Sequence, residues 1–410
     1  MTTTPDAASQ PNLPNSDSAS LLAEARDLLG ELVTLRRRIH SEPELGLHLP
    51  LTQATILAEL EDLAVEVKTG TSLSSVVATM HGDGEGPTLL LRADMDALPM
   101  PEDTGYEFAS KHDGTMHACG HDAHVAMLVG AAKMLNERRR DLRGTVKFFF
   151  QPGEEGHGGA RYAIEEGLLE NPSVDAGFAL HITPNSPSGT LASKPGPLLA
   201  SADTFSITVN GKGGHASTPH LTVDPVPVAA EIVLALQTMV TRTVDAFDPA
   251  IVTVAQIEAG TTSNVIPESA VMKGTMRTFS GRTRSHVQDS LHRVAHNIAA
   301  AHDCSVEVEV SDGYPVTVND REFEAFARDT LSDLLGSERV REISSPIMGA
   351  EDWSYVLERV PGSMAFLGVC PPDLDPRNAP ACHSNRMQLD EEAMAVGAAA
   401  HAAVALAYLR

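Results

Sequence analysis

Apolar and polar positions alternate along the chain in distinct styles. From Leu21 to Ile39, apolar residues recur at Leu22, Ala25, Leu28, Leu29, Leu32, Leu35 and Ile39, the stripe of an amphipathic helix. Arg36-Arg37-Arg38 suits that helix's negative pole. A second helix is predicted over 52–63, with short strands at 65–67 and 76–80. Continuous apolar runs at 88–93, 145–150 and 174–180 then read as buried strands. A helix begins near Gly158-Gly159, and the Ala-rich run 125–132 reads as a core helix. From Asp203 the pattern changes. Residues 203–209 alternate like a half-exposed strand, followed by a helix over 224–242, strands at 251–257 and 270–279, a helix over 281–302 and a strand at 305–310. That order, β-α-β-β-α-β, predicts a ferredoxin-like α+β domain inserted over 199–312. The α/β style then resumes with a helix over 322–335, a helix opening at 348–355, a strand at 364–369 and a terminal helix over 391–409. The expected organisation is one α/β domain, 21–198 plus 313–410, carrying the 199–312 insertion. Residues 1–20 are rich in Thr, Ser, Pro, Asn and Asp and predict a disordered tail, not a signal peptide.

Composition narrows the function. With 30 Lys plus Arg against 55 Asp plus Glu, the net charge is −25, which disfavours nucleic acid and anionic membrane surfaces as partners. No apolar run is long enough to span a membrane. The four cysteines (Cys119, Cys304, Cys370 and Cys382) are scattered, so free thiols or metal ligands in a reducing, cytoplasmic setting are expected.

Candidate chemistry gathers where the buried runs end. Ligands of open α/β sheets bind beyond strand carboxyl ends. One apolar run ends at Asp94 and Asp96, one at Glu154-Glu155 and one at His181. Asp94 either orients a ligand histidine, approaches the metal itself, or serves the strand-end turn. Of the adjacent Glu154 and Glu155, one can bind metal while the other reaches the attacking water, the division of labour hydrolysis needs. The densest stretch is Met116–His124, where three histidines, one cysteine and one aspartate precede the core helix. Cys119 and His121 flank a single glycine and can converge on one borderline-soft ion such as zinc or manganese.

Together, Arg92-Ala93-Asp94-Met95-Asp96-Ala97-Leu98-Pro99, His117-Ala118-Cys119-Gly120-His121-Asp122, Gln151-Pro152-Gly153-Glu154-Glu155, Gly213-Gly214-His215-Ala216-Ser217 and Ser263-Asn264-Val265-Ile266-Pro267 resemble the dinuclear metallopeptidase family that includes carboxypeptidase G, succinyl-diaminopimelate desuccinylase and aminoacylases. The closer likeness is to its amidohydrolase branch of hippurate hydrolases, N-acyl-amino-acid amidohydrolases, N-acetyldiaminopimelate deacetylases and plant auxin-conjugate hydrolases. It runs from about His40 to the C-terminus. The resemblance implies a zinc-peptidase-like catalytic domain with an inserted dimerisation (lid) domain. It implies two divalent ions (zinc, manganese or cobalt) on Cys119, His121, Glu155, His181 and His383, with Cys119 shared. Glu154 matches the general base, and His215 would reach the cleft of a partner copy and hold the oxyanion. Asn264 and Arg277 are candidates for the substrate carboxylate, Arg277 by bidentate pairing. The expected activity is cleavage of N-acyl amino acids (acetyl, benzoyl or similar) by a homodimer or higher homo-oligomer. A dipeptidase or carboxypeptidase on the same centre, and a catalytically silent metal-binding protein, are the alternatives.

Overall fold

The computed structural model describes residues 15–410, which divide into two compact units. The first unit runs to Gly196 and takes in Val318–Ser344 and Tyr355–Arg410; the second is Pro197–Thr317 with Ser345–Ser354. The predicted tail lies outside the described residues up to 14, and from Asn15 the chain is already helical. The expected 21–39 helix is two helices, Asn15–Asp27 and Leu29–Ser41. The interruption at Leu28 falls two residues before Gly30, a weak helix former.

The first unit is built on an eight-stranded sheet. Its order is Glu66–Thr69, Val76–His81, Arg143–Gln151, Gly84–Asp94, Ala176–Pro187, Gly362–Cys370, Leu191–Ser193 and Val340–Glu342. The four central strands are parallel. Residues 88–94, 144–151, 176–180 and nearly all of 362–370 are buried, which is why these runs are largely apolar without alternation. Register decides where the chemistry falls. Asp94 pairs with Gln151, and Arg92 pairs with Ala179, so Asp94, Gln151 and His181 stand level on three neighbouring strands. The His181 strand continues to Pro187, because its parallel partner keeps pairing as far as Cys370. His181 therefore lies within the strand and not at the end that its apolar run suggests.

The helix His121–Glu137 is buried over most of its length. It packs against the Ala-rich Ala393–Tyr408 helix. Small residues set that close approach: a Cβ on Gly130 would meet Ala398, and one on Gly397 would meet Met127. This fixes the helix whose first residue is His121.

The second unit is ferredoxin-like. Its sheet runs Ala250–Ala259, Ser269–Thr278, Asp203–Asn210, Ser305–Ser311, all antiparallel. Its helices, Pro225–Thr243 and Gly281–Ala301, are capped by Asp224 and Ser280 side chains. Their apolar faces share a core with Ile207, Val209, Met272 and Met276. The helix expected to open at 348–355 begins only at Ser354 and ends at Leu357. Upstream of it, the carbonyls of Ile347 and Gly349 both accept the Ala200 N–H and Ile347 N–H donates to Leu198, so that backbone bonds to a neighbouring segment and not to its own next turn.

Candidate metal centre

The five predicted ligands converge within the first unit. Donor atoms of Cys119, His121 and His181 lie within 4.8 Å of one another, as do those of Cys119, Glu155 and His383. The two triads have Cys119 in common. Glu154 joins through a third group with His121 and Glu155. Cys119 Sγ is 3.4 Å from His181 Nε2, and Glu155 Oε1 is 3.2 Å from His383 Nε2 and 4.0 Å from His121 Nε2.

Local backbone makes this possible. Gly120 sits at φ +80°, and a Cβ there would lie 2.7 Å from Ile182 Cγ1, so only glycine fits between Cys119 and His121. His383 also takes a positive φ, of 67°, and its N–H donates to the Ala118 carbonyl at 2.8 Å. That bond ties the late histidine loop to the Cys119 loop.

The residues fit a cation. His121 Nδ1–H donates to the Asp96 carbonyl (2.9 Å) and His181 Nδ1–H to the Ile182 carbonyl (2.6 Å). A carbonyl only accepts, so both rings turn Nε2 toward the cluster. His121 Nε2 is buried without a hydrogen-bond partner. Burial alone would lower the His121 pKa, but Asp94, Asp96 and Glu155 raise it to about 10. That surplus negative field is the one a divalent ion would neutralise. The Cys119 thiol is pushed well up by its hydrogen bond with Cys382, by burial, and by Glu155 and Glu154. A bound cation is what turns such a thiol into a thiolate.

Asp96 is the residue that the sequence reading passed over. Its two carboxylate oxygens accept the backbone N–H groups of Glu154 (2.9 Å) and Glu155 (3.0 Å), while its carbonyl holds His121. One buried residue thus aims three members of the cluster, two through its carboxylate and His121 through its backbone carbonyl. The signal was the Asp94-Met95-Asp96 spacing; what the spacing lacks is the turn after Pro152 that delivers the two amides. Asp94 does something else. It bonds His124 Nδ1 at 2.5 Å and Arg92 Nη1 at 2.6 Å, and lies 3.6 Å from His121 Nε2. His124 Nε2 in turn accepts the Ile182 N–H, bracing the strand beside His181.

Behind the loop, Asp122 accepts from Arg36 Nε (3.0 Å) and His40 Nδ1 (2.8 Å), and His40 Nε2 reaches Glu102 (3.1 Å). Burial works against a charge on His40, yet Asp122 and Glu102 raise its pKa to about 9. Because the folded pKa exceeds the ordinary 6.5, this stabilisation is complete below about pH 6.5 and lost as pH rises through about 9. Of the stability seen in chemical denaturation, the share carried by His40, about 2 kcal/mol, should be lost between pH 7 and pH 9.5. His40→Gln should flatten that difference, and an unchanged pH slope in the variant would count against it.

The remaining predicted residues lie in the second unit. His215 pairs with Val265 in a two-stranded ribbon, and Ala216 N–H donates to the Asn264 carbonyl, so His215 and Asn264 are neighbours. Ser217 N–H and Oγ both meet His215 Nδ1 (3.1 and 2.7 Å). Arg277 is not brought to them. It sits near the opposite end of the Ser269–Thr278 strand, its Nη1 on the Met276 carbonyl.

The profile of Peptidase family M20/M25/M40 matches residues 90–407. The chain is 40% identical over 392 residues to IAA-amino acid hydrolase ILR1-like 4 of Arabidopsis thaliana, covering 95% of this chain and 88% of that one. It is 39% identical over 379 residues to N-acetylcysteine deacetylase of Bacillus subtilis, covering 92% and 97%. Relatives from Saccharolobus solfataricus named thermostable carboxypeptidases match at 37–38% identity. A solved Bacillus subtilis structure, described as a dinuclear metal binding peptidase of the M20 family, superposes with a TM-score of 0.81 at 36% identity, covering 93% of this chain and 99% of that one. No helix among the described residues is long and apolar enough to cross a membrane. The chain is a hydrolase of amide bonds that belongs to peptidase family M20/M25/M40, in its amidohydrolase branch.

Proposed function

We propose that the chain is a metal-dependent amidohydrolase that cleaves the amide bond of N-acyl amino acids. The observation that carries this is the pair of donor triads sharing Cys119, with Glu154 beside them. Cys119, His121, Glu155, His181 and His383 would hold two divalent ions (zinc, manganese or cobalt), which supply Lewis acidity to the amide carbonyl and acidify the attacking water. Glu154, buried and aimed by Asp96, takes the proton of that water and passes it to the leaving amine. Four free thiols support a reducing, cytoplasmic setting.

Asn264 and Arg277 would take the substrate carboxylate, and His215 the oxyanion. From Ser269 to Arg277 the strand advances about 26 Å, with Asn264 beyond its far end. That is longer than an acetyl- or benzoyl-amino acid, so one such substrate meets both residues only if two chains supply them. This supports a homodimer in which His215 and Asn264 serve the partner's centre. The Ala250–Ala259 strand, an edge of its sheet with Ile251 and Ile257 exposed, is a ready surface for a second copy. Co-expressing Glu154→Gln and His215→Ala chains, each inactive alone, should restore up to about one quarter of native activity, because half the sites of a mixed dimer are intact and half the dimers are mixed. No recovery in demonstrably mixed dimers would show that His215 serves its own chain or neither.

The carboxypeptidase-named relatives favour a second reading, peptide cleavage on the same centre. Acetyl- and benzoyl-amino acids assayed beside plain dipeptides, with each metal and with chelator, separate the two. Chelator-sensitive release from the acylated substrates alone is expected. Dipeptide cleavage alone would move the chain to the peptidase reading, and metal binding without any turnover would leave a silent metal protein.

A further inference from the structure

The late histidine loop brings a second sulfur, that of Cys382, to the Cys119 loop, and the hydrolytic reading leaves it without a role. The Cys119 and Cys382 side chains are neighbours, close enough that each shifts the other's pKa. Their chains are joined beside them by the His383 N–H on the Ala118 carbonyl at 2.8 Å. Both thiols also lie against one segment, Cys119 Sγ 3.4 Å from His181 Nε2 and Cys382 Sγ 4.0 Å from the Ile182 carbonyl. Cys382 joins none of the three-donor clusters among the described residues, so it is a neighbour of the metal centre and not a member. Cys119 is buried and Cys382 half-buried, so Cys382 is the more accessible residue of the two.

We propose that Cys119 and Cys382 are a redox pair, in which hydrogen peroxide closes a disulfide and withdraws the shared sulfur donor from the metal centre. Cys382 Sγ attacks one peroxide oxygen, the O–O bond breaks, and a sulfenic acid and one water result. Cys119 Sγ then attacks the sulfenic sulfur; the S–S bond forms and the hydroxyl leaves with the thiol proton as a second water. Two thiols are oxidised by two electrons and one peroxide is reduced to two waters. With its shared donor gone, the metal-free centre can no longer take up metal, and hydrolysis stays off until a dithiol reductant reopens the bond. Bound metal occupies Cys119 and protects the pair. The inference rests on the reading of Cys119 as a metal ligand.

The test uses the full-length protein, metal-loaded and chelator-stripped, treated with about one equivalent of hydrogen peroxide. The stripped sample should yield a disulfide-linked peptide pair carrying Cys119 and Cys382, while Cys304 and Cys370 stay reduced. Its metal uptake and its N-acyl-amino-acid hydrolysis should fall at least about tenfold and return with dithiothreitol. The metal-loaded sample should resist. Cys382→Ser should keep hydrolysis and give no dithiothreitol-reversible loss. Peroxide-treated protein with no linked pair, or a reversible loss that persists in Cys382→Ser, would overturn the proposal. A linked pair with undiminished metal uptake would overturn it through the ligand assignment of Cys119 and not through the thiol geometry.

Discussion

Glu154→Gln is expected to lower turnover by roughly 10²–10⁴-fold while leaving metal content at the native level. The amide keeps the size and the packing of the buried side chain, and the backbone bond to Asp96 does not involve the replaced atom. What disappears is the capacity to take a proton from water and return it to the amine. Glu155, its neighbour, cannot substitute, because its carboxylate faces His383 and His121 in the donor cluster. A loss of metal together with activity would instead make Glu154 a ligand. Native turnover in the metal-replete variant would remove it from the mechanism.

Asp96→Asn should damage more of the centre than its lack of direct contact with substrate suggests. Asp96 accepts two backbone N–H groups, one from each glutamate. Asparagine has one accepting oxygen, so its NH₂ would confront one of those amides and leave a buried donor unsatisfied. The glutamate turn must then shift, carrying Glu154 and Glu155 with it. Metal affinity is expected to fall about 10–100-fold, as for other partners that orient metal ligands. Turnover at saturating metal should fall as well, because Glu154 loses its aim. Metal titration and kinetics at saturating metal measure the two effects separately. Native values for both would show that the turn holds itself without Asp96.

Much of this centre is legible in the chain because its ligands sit at the ends of local patterns. Glu154-Glu155 closes an apolar run, and Cys119-Gly120-His121 opens a core helix, so residue type and periodicity suffice to select them. His383 is legible only through the family resemblance, because no regular element points to it. Asp96 is hidden for a different reason. Its function is to accept amides from a turn more than fifty residues away, and only the parallel register of the Gly84–Asp94 and Arg143–Gln151 strands brings that turn near. The separation of Arg277 from Asn264 is likewise a matter of strand length and hairpin geometry, which no residue type announces. The helix expected to open at 348–355 starts only at Ser354 for a related cause: local propensity upstream yields to backbone pairing with the 198–200 segment.

The central claim is that hydrolysis depends on two divalent ions held by triads that share Cys119. Its most direct test is to titrate metal back into chelator-stripped protein while following both bound metal and release of acid from an N-acetyl amino acid. Activity should be absent in the stripped protein and should saturate as binding reaches two ions per chain. Full activity after stripping, or activity complete with no metal bound, would contradict the account.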